Sequence, residues 1–232
     1  MAESNQVQET GKVTAPSTPT SVNAQDFWMK NRKVIIGVGA VLILAVAGFF
    51  AYQTYVKKPK EERAADAMFK AEEYYRMDSA RLALNGDGQH MGFLKVIDNY
   101  GGTEAGNLAK FYAGICYIKL DDNANAVKYL KDFSTDAKQI QQRAYKLLGD
   151  AYADQGNGKE AVNYYKKAAT HFKEDLQNSG EALFHAAYAA HKLLNDQKQA
   201  IELYKELKEK YPNSFGGQAD LYLAQLGVYN VN

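Results

Sequence analysis

The stretch YKLLGDAYADQGNGKEAVNYYKKA, residues 145–168, decides the fold. Small and aromatic residues stand in it at set offsets: Tyr145, Leu148, Gly149 and Tyr152, then Gly156, then Ala161, Tyr165 and Ala168. That pattern predicts a helical hairpin, a helix A and a helix B joined by a turn. Moving 35 residues upstream finds Gly114, Tyr117, Ala126, Leu130 and Phe133 at equivalent places, with a turn over residues 121–125. Moving 39 residues downstream finds Phe184, Ala200, Tyr204 and Leu207, with Pro212 at the helix-ending position. Three hairpins are therefore expected at about 107–140, 142–175 and 181–214, the extra residues falling in the polar link 173–180.

A period near 34 with this residue pattern resembles the tetratricopeptide repeat, which implies an all-α solenoid. The physical logic agrees. Gly114 and Gly149 let helix A and helix B approach closely, Ala126, Ala161 and Ala200 fill the crossing from the other side, and Tyr117, Tyr152, Tyr165 and Tyr204 plug between hairpins. Before the first clear repeat, residues 61–84 read as one long helix with Ala64, Ala67, Met68, Ala71, Tyr74 and Tyr75 on its apolar face. The Asn85-Gly86-Asp87-Gly88 run breaks it, and residues 91–100 form a second helix, so 57–106 is a linker with a degenerate first hairpin. After Pro212, Ser214 is expected to cap a last helix through Phe215, Ala219, Tyr222 and Leu226, covering the solenoid's end.

Outside the repeats one window carries no charge at all: VIIGVGAVLILAVAGFFAYQTYV, residues 34–56. As a helix it spans roughly 35 Å, enough for a ~30 Å hydrocarbon core, and it reads as a single N-terminal transmembrane helix. Trp28, Tyr52 and Tyr55 stand at its two ends, and Lys30, Arg32, Lys33, Lys57, Lys58 and Lys60 mark the water boundaries. A cleaved signal peptide ending at Ala45-Val46-Ala47 is the alternative, opposed by the long segment before it and the apolar residues after it. Three basic residues precede the span and six follow it within about 20 positions, a count that leaves orientation open for a large C-terminal domain. Gly37, Ala40, Ala47 and Ala51 form a small-residue face that could admit another membrane helix. Residues 1–33 read as a flexible tail, since their polar composition cannot bury enough surface to offset chain entropy.

The full chain has 232 residues, 28 basic and 27 acidic, four His and one Cys. Beyond the span the balance is 24 basic to 24 acidic, which removes the electrostatic footprint of a nucleic-acid binder and favours protein partners. No chemistry-bearing constellation emerges. His185 and His191 are six apart with no zinc-type spacing, and Asn85-Gly86-Asp87-Gly88 lacks the acids of a calcium loop. Cys116 reads as a buried inert thiol. No enzyme, cofactor or metal is expected.

What remains is the concave surface formed by the A helices, where such solenoids hold extended peptides. Its expected residues are Leu108, Phe111, Ile115 and Lys119, then Arg143, Lys146, Asp150 and Ala153, then Ala182, His185, Ala189 and Lys192. Phe111 and Ile115 are equally suited to packing against the first hairpin. Phe111, Ile115 and Asp150 also replace much of the basic, Asn-rich clamp with which chaperone-tail binders hold a terminal carboxylate.

The junction from Phe27 to Tyr55, with its F-W-x-K-N-R-K motif and Gly-rich anchor ending in aromatics, followed by tetratricopeptide hairpins, resembles the YfgM-like ancillary subunits of the bacterial Sec translocon. The resemblance implies an inner-membrane protein with its C-terminal domain in the periplasm, associated with SecYEG and a membrane-anchored prolyl-isomerase-like chaperone. The longer Ser/Thr/Pro-rich tail and the 17 tyrosines depart from that pattern.

Overall fold

The computed structural model describes residues 24–229, so the expected tail over residues 1–23 lies outside them. Among the described residues every regular element is helical, apart from an isolated bridge between Gly86 and Met91. The chain divides into two compact units at Gln53 and Thr54.

The first unit is the helix α1 (Ala24–Tyr52), so residues 24–33 are helical rather than part of a tail. It is long and apolar enough to cross a membrane, and its apolar window is not buried against anything else in the chain. Gly37, Ala40, Ala47 and Ala51 are all exposed on it, and a methyl added at Gly37 would meet nothing.

The second unit opens with a π-helical turn (Gln53–Lys57) and continues through ten α-helices: α2 (Lys58–Arg76), α3 (Ala80–Asn85), α4 (Phe93–Tyr100), α5 (Glu104–Lys119), α6 (Asn123–Lys131), α7 (Lys138–Asp154), α8 (Gly158–His171), α9 (Leu176–Lys192), α10 (Gln197–Lys210) and α11 (Pro212–Gln225). The hairpins α5/α6, α7/α8 and α9/α10 overlap the three expected segments but begin three, four and five residues earlier, at Glu104, Lys138 and Leu176 against 107, 142 and 181. Their A helices and B helices meet through glycine and alanine as the pattern demands. A Cβ on Gly114 would stand 2.4 Å from Leu130 and one on Gly149 would stand 2.5 Å from the Tyr165 ring. Ala126, Ala161 and Ala200 are fully buried opposite them.

The same turn chemistry closes each hairpin. Asp121, Gly156 and Asn195 take positive φ, and the next residue, Asp122, Asn157 or Asp196, caps helix B by accepting a backbone N–H. Asp78, also at positive φ, precedes Ser79 and α3, though the Ser79 side chain makes no cap hydrogen bond. The first hairpin therefore turns at Met77–Ser79, and the single helix expected over residues 61–84 is two helices, α2 and α3. No glycine or proline marks that turn, which is why hydrophobic spacing ran across it. The Asn85–Gly88 run is a second reversal, held by Asp87. Its carboxylate accepts from the Tyr74 hydroxyl at 2.6 Å and from the backbone N–H groups of Gln89 and His90. These bonds keep Asp87 well below the usual carboxylate range.

At the other end, Pro212 begins α11 instead of closing α10, since its missing N–H is harmless at the first helical position. Ser214 lies inside that helix and does not cap it. Gly180 sits within α9, where the Phe215 ring of α11 lies 2.4 Å from where a Cβ would be, so the link expected over 173–180 ends at Asp175. The core is continuous from Phe111 to Leu223, with a second cluster joining α2–α5. Cys116 lies in the latter, fully buried, and burial pushes its thiol up to about 12.

Candidate functional site

A groove of about 650 Å³ runs between the first helices of the repeats. One side is α5, with Leu108, Phe111 and Tyr112; the middle is α7, with Gln139, Ile140, Gln142, Arg143 and Lys146; the far side is the start of α9, with Asp175, Asn178 and Glu181. Ala168 of α8 closes the floor. Among these A-helix residues Gln142 faces helix B, two turns before Gly149, and forms the base of the groove together with Ala168.

Buried hydrogen bonds fix the floor. Gln142, 3% exposed, donates through Nε2 to the Ala168 carbonyl at 3.2 Å and to Ser179 Oγ at 2.9 Å. Ser179, fully buried, donates in turn to the Phe172 carbonyl at 2.9 Å. Gln142 and Ser179 are thus both partnered, and together they tie α7 to the α8/α9 junction. Neither residue was foreseen from sequence; a Gln and a Ser among the apolar positions of two A helices were the available signal.

The wall beyond the floor is a charged network. Lys146 Nζ lies 3.4 Å from Asp150 and 3.3 Å from Glu181, and Glu181 lies 3.6 Å from His185 Nε2. The Tyr165 hydroxyl donates to Asp150 at 2.8 Å, and its ring stacks on His185 with centroids 5.3 Å apart. Burial, with the Asp150 charge beside it, holds the Tyr165 hydroxyl far above its usual range. Burial also lowers His185 from its ordinary value, helped by Lys146. The cationic form of the imidazole is thus disfavoured, although Asp150 and Glu181 act in its favour. Arg143 is exposed in the groove and makes no ion pair among the described residues.

The expected concave residues distribute as follows. Phe111 and Lys146 line the groove, and Asp150 and His185 join it through Glu181 and Lys146. Phe111 is only 5% exposed and packs on Phe133 with ring centroids 5.2 Å apart, so it serves as core and groove floor together. Ile115 is buried in the core. Lys119 pairs with Asp78 and lies 5.1 Å from the Tyr75 ring, which directs it to the first hairpin instead.

Ala182 and Ala189 are buried, and the cause is a shift of register. Helices α7 and α9 have 17 residues each and begin at Lys138 and Leu176, so their register is 38. Helices α8 and α10 begin at Gly158 and Gln197, a register of 39. The odd residue lies in the turn before α10, where Leu193 and Leu194 pack on Gly158. The α9 counterparts of Arg143, Lys146 and Asp150 are therefore Glu181, Phe184 and Tyr188, one position before Ala182, His185 and Ala189. Phe184 and Tyr188 instead meet α11, with Phe184 5.5 Å and Tyr188 5.9 Å from the Tyr222 ring.

A family model described as the tetratricopeptide repeat matches residues 108–137 and 181–214. The chain thus carries tetratricopeptide repeats that form a helical repeat domain, and such domains bind protein partners. The stretch 145–168 lies between the two matched segments, and its α7/α8 hairpin repeats their turn and cap geometry. Comparison with curated proteins finds no match.

Proposed function

We propose that this protein is a non-enzymatic adaptor, tethered by α1 in a bacterial inner membrane, whose groove receives an extended segment of a protein partner. In this reading the repeat domain faces the periplasm as an accessory subunit of the Sec translocon. There it aids translocated chains or links them to a membrane-anchored prolyl-isomerase-like chaperone. The observation that carries the adaptor role is the open groove of about 650 Å³ across α5, α7 and α9, apolar at Leu108, Phe111 and Ile140 and charged at Arg143 and Glu181. Such a lining suits a peptide with bulky side chains flanked by polar ones, and offers no arrangement for bond chemistry. The translocon assignment is supported by the resemblance of the Phe27–Tyr55 junction.

Gentle detergent extraction and identification of co-purifying proteins tests both levels. SecYEG subunits and the chaperone are expected with the wild-type chain, and Ile140→Asp, which alters an exposed groove residue, is expected to reduce the captured partner. Absence of translocon subunits would sink the assignment. The basic excess after the span, Lys57, Lys58, Lys60, Arg63, Lys70 and Arg76, favours a second reading, a cytoplasm-facing receptor or assembly factor. Protease added to intact spheroplasts separates them: a periplasmic repeat domain is digested and a cytoplasmic one is protected.

A further inference from the structure

Immediately after the apolar stretch, Tyr55, Val56, Pro59, Lys60 and Arg63 share a cleft of about 390 Å³ with Tyr100 of α4. Val56, Lys60 and Arg63 recur at four- and three-residue steps and so lie along one helix face. Two acids lie between Lys60 and Arg63: Glu61 Oε2 accepts the backbone N–H of Glu104 at 2.9 Å at the start of α5, and Glu62, exposed and about 200° round the helix from Lys60, leaves the net charge of the Lys57–Arg63 segment positive. Lys60 and Arg63 are exposed and make no ion pair among the described residues, and Lys57 and Lys58 add two further exposed cations. Lys70, Lys110, Lys119 and Lys146 have carboxylate partners; what distinguishes Lys57, Lys58, Lys60 and Arg63 is that they follow one another directly after the apolar stretch.

A chain leaving a hydrocarbon core must pass through the headgroup layer, where lipid phosphates carry negative charge and juxtamembrane Lys and Arg are each attracted by about 1 kcal/mol. Tyrosine favours the same layer, with its ring toward the acyl region and its hydroxyl toward water. We propose that this cleft binds the phosphate headgroup of an anionic phospholipid, Lys60 and Arg63 meeting the phosphate while Tyr55, Val56 and Pro59 line the acyl-proximal wall. The guanidinium of Arg63 can grip two phosphate oxygens at once, and Lys60 adds a second charge beside it. The apolar wall selects a lipid over free phosphate. The proposal rests on α1 crossing a membrane, and it holds for either orientation because it concerns only the residues that follow the span.

The test is native mass spectrometry of the full-length chain released from micelles containing equal amounts of phosphatidylglycerol and phosphatidylcholine. The wild type is expected to retain phosphatidylglycerol preferentially, and Lys60→Gln with Arg63→Gln is expected to reduce that preference about five-fold for each charge removed. The swap Lys60→Arg with Arg63→Lys keeps the preference, as does the remote pair Lys198→Gln with Lys205→Gln, which shows that local charge and not overall charge or misfolding is responsible. Equal retention of the two lipids by the wild type, an unchanged preference in the Gln pair, or displacement of the lipid by millimolar inorganic phosphate would each overturn it. Failure of the membrane reading has a different signature, release of the chain from membranes by alkaline carbonate.

Discussion

Gly149 has no room for a side chain, because the Tyr165 ring occupies the place where its Cβ would go. Gly114 is in the same position against Leu130. Gly149→Ala and Gly114→Ala are therefore expected to cost about 1–3 kcal/mol each, the usual penalty of overpacking, read as a lowered midpoint in chemical denaturation. Tyr165→Phe acts differently. It keeps the ring on His185 but removes the donor to Asp150, and loss of a hydrogen bond to a charged group costs about 1.5–3 kcal/mol in the same measurement. The histidines set a pH dependence. Burial depresses both His185 and His191 below 6.5, so the unfolded chain binds protons more readily than the folded one as acidity rises. Their contribution is complete above pH 6.5 and declines as pH falls below it, whereas that of Asp87 persists until pH falls below 3.8. Thermal midpoints should fall between pH 7 and 5.5, and His185→Gln with His191→Gln should flatten that slope.

At the scale of elements, the turns carry the information that hydrophobic spacing lacks. Gly156, at φ +71, does for α7/α8 what Asp121 and Asn195 do for the neighbouring hairpins. Gly156→Ala should cost about 1 kcal/mol, because a Cβ is strained in the left-handed region, and Gly156→Asn should recover much of that loss. Thermal melts of the two variants give the ranking. The hairpins at 107–140, 142–175 and 181–214 were legible because glycine, alanine and aromatic residues recur at offsets dictated by how two helices cross. The turn at Met77–Ser79 was not, because Asp78 supplies the left-handed residue and Asp-Ser carries a weaker signal than Gly-Asn. The groove was half legible for a related reason. One extra residue in the turn before α10 places helix B 39 residues on but helix A only 38, so a single offset of 39 misassigns α9 by one residue, about 100° round the helix: Ala182 and Ala189 are buried and Glu181 lines the groove. The pairing of Gln142 with Ser179 spans two hairpins, a relation that local spacing does not encode.

On the scale of the whole molecule, α1 and the repeat domain are built for different surroundings, one with its apolar side chains outermost and the other with a continuous interior. Leu44→Arg in the middle of α1 should cost about 2.5–3.5 kcal/mol of insertion energy and increase the fraction released by alkaline carbonate, while leaving the repeat domain folded by circular dichroism. From α4 onward, each helix of the repeat domain packs mainly on the next in sequence, with α5–α7, α7–α9 and α9–α11 reaching further. That nearest-neighbour architecture bears on time as well as on shape. Contacts close in sequence form without waiting for distant parts of the chain, so a hairpin can bury its alanines and tyrosines as soon as its own thirty-odd residues are free. A chain delivered to its compartment from one end would then fold behind the delivery point, α5/α6 before α7/α8 before α9/α10, and expose little apolar surface at any moment. The order of synthesis and the order of assembly become the same schedule.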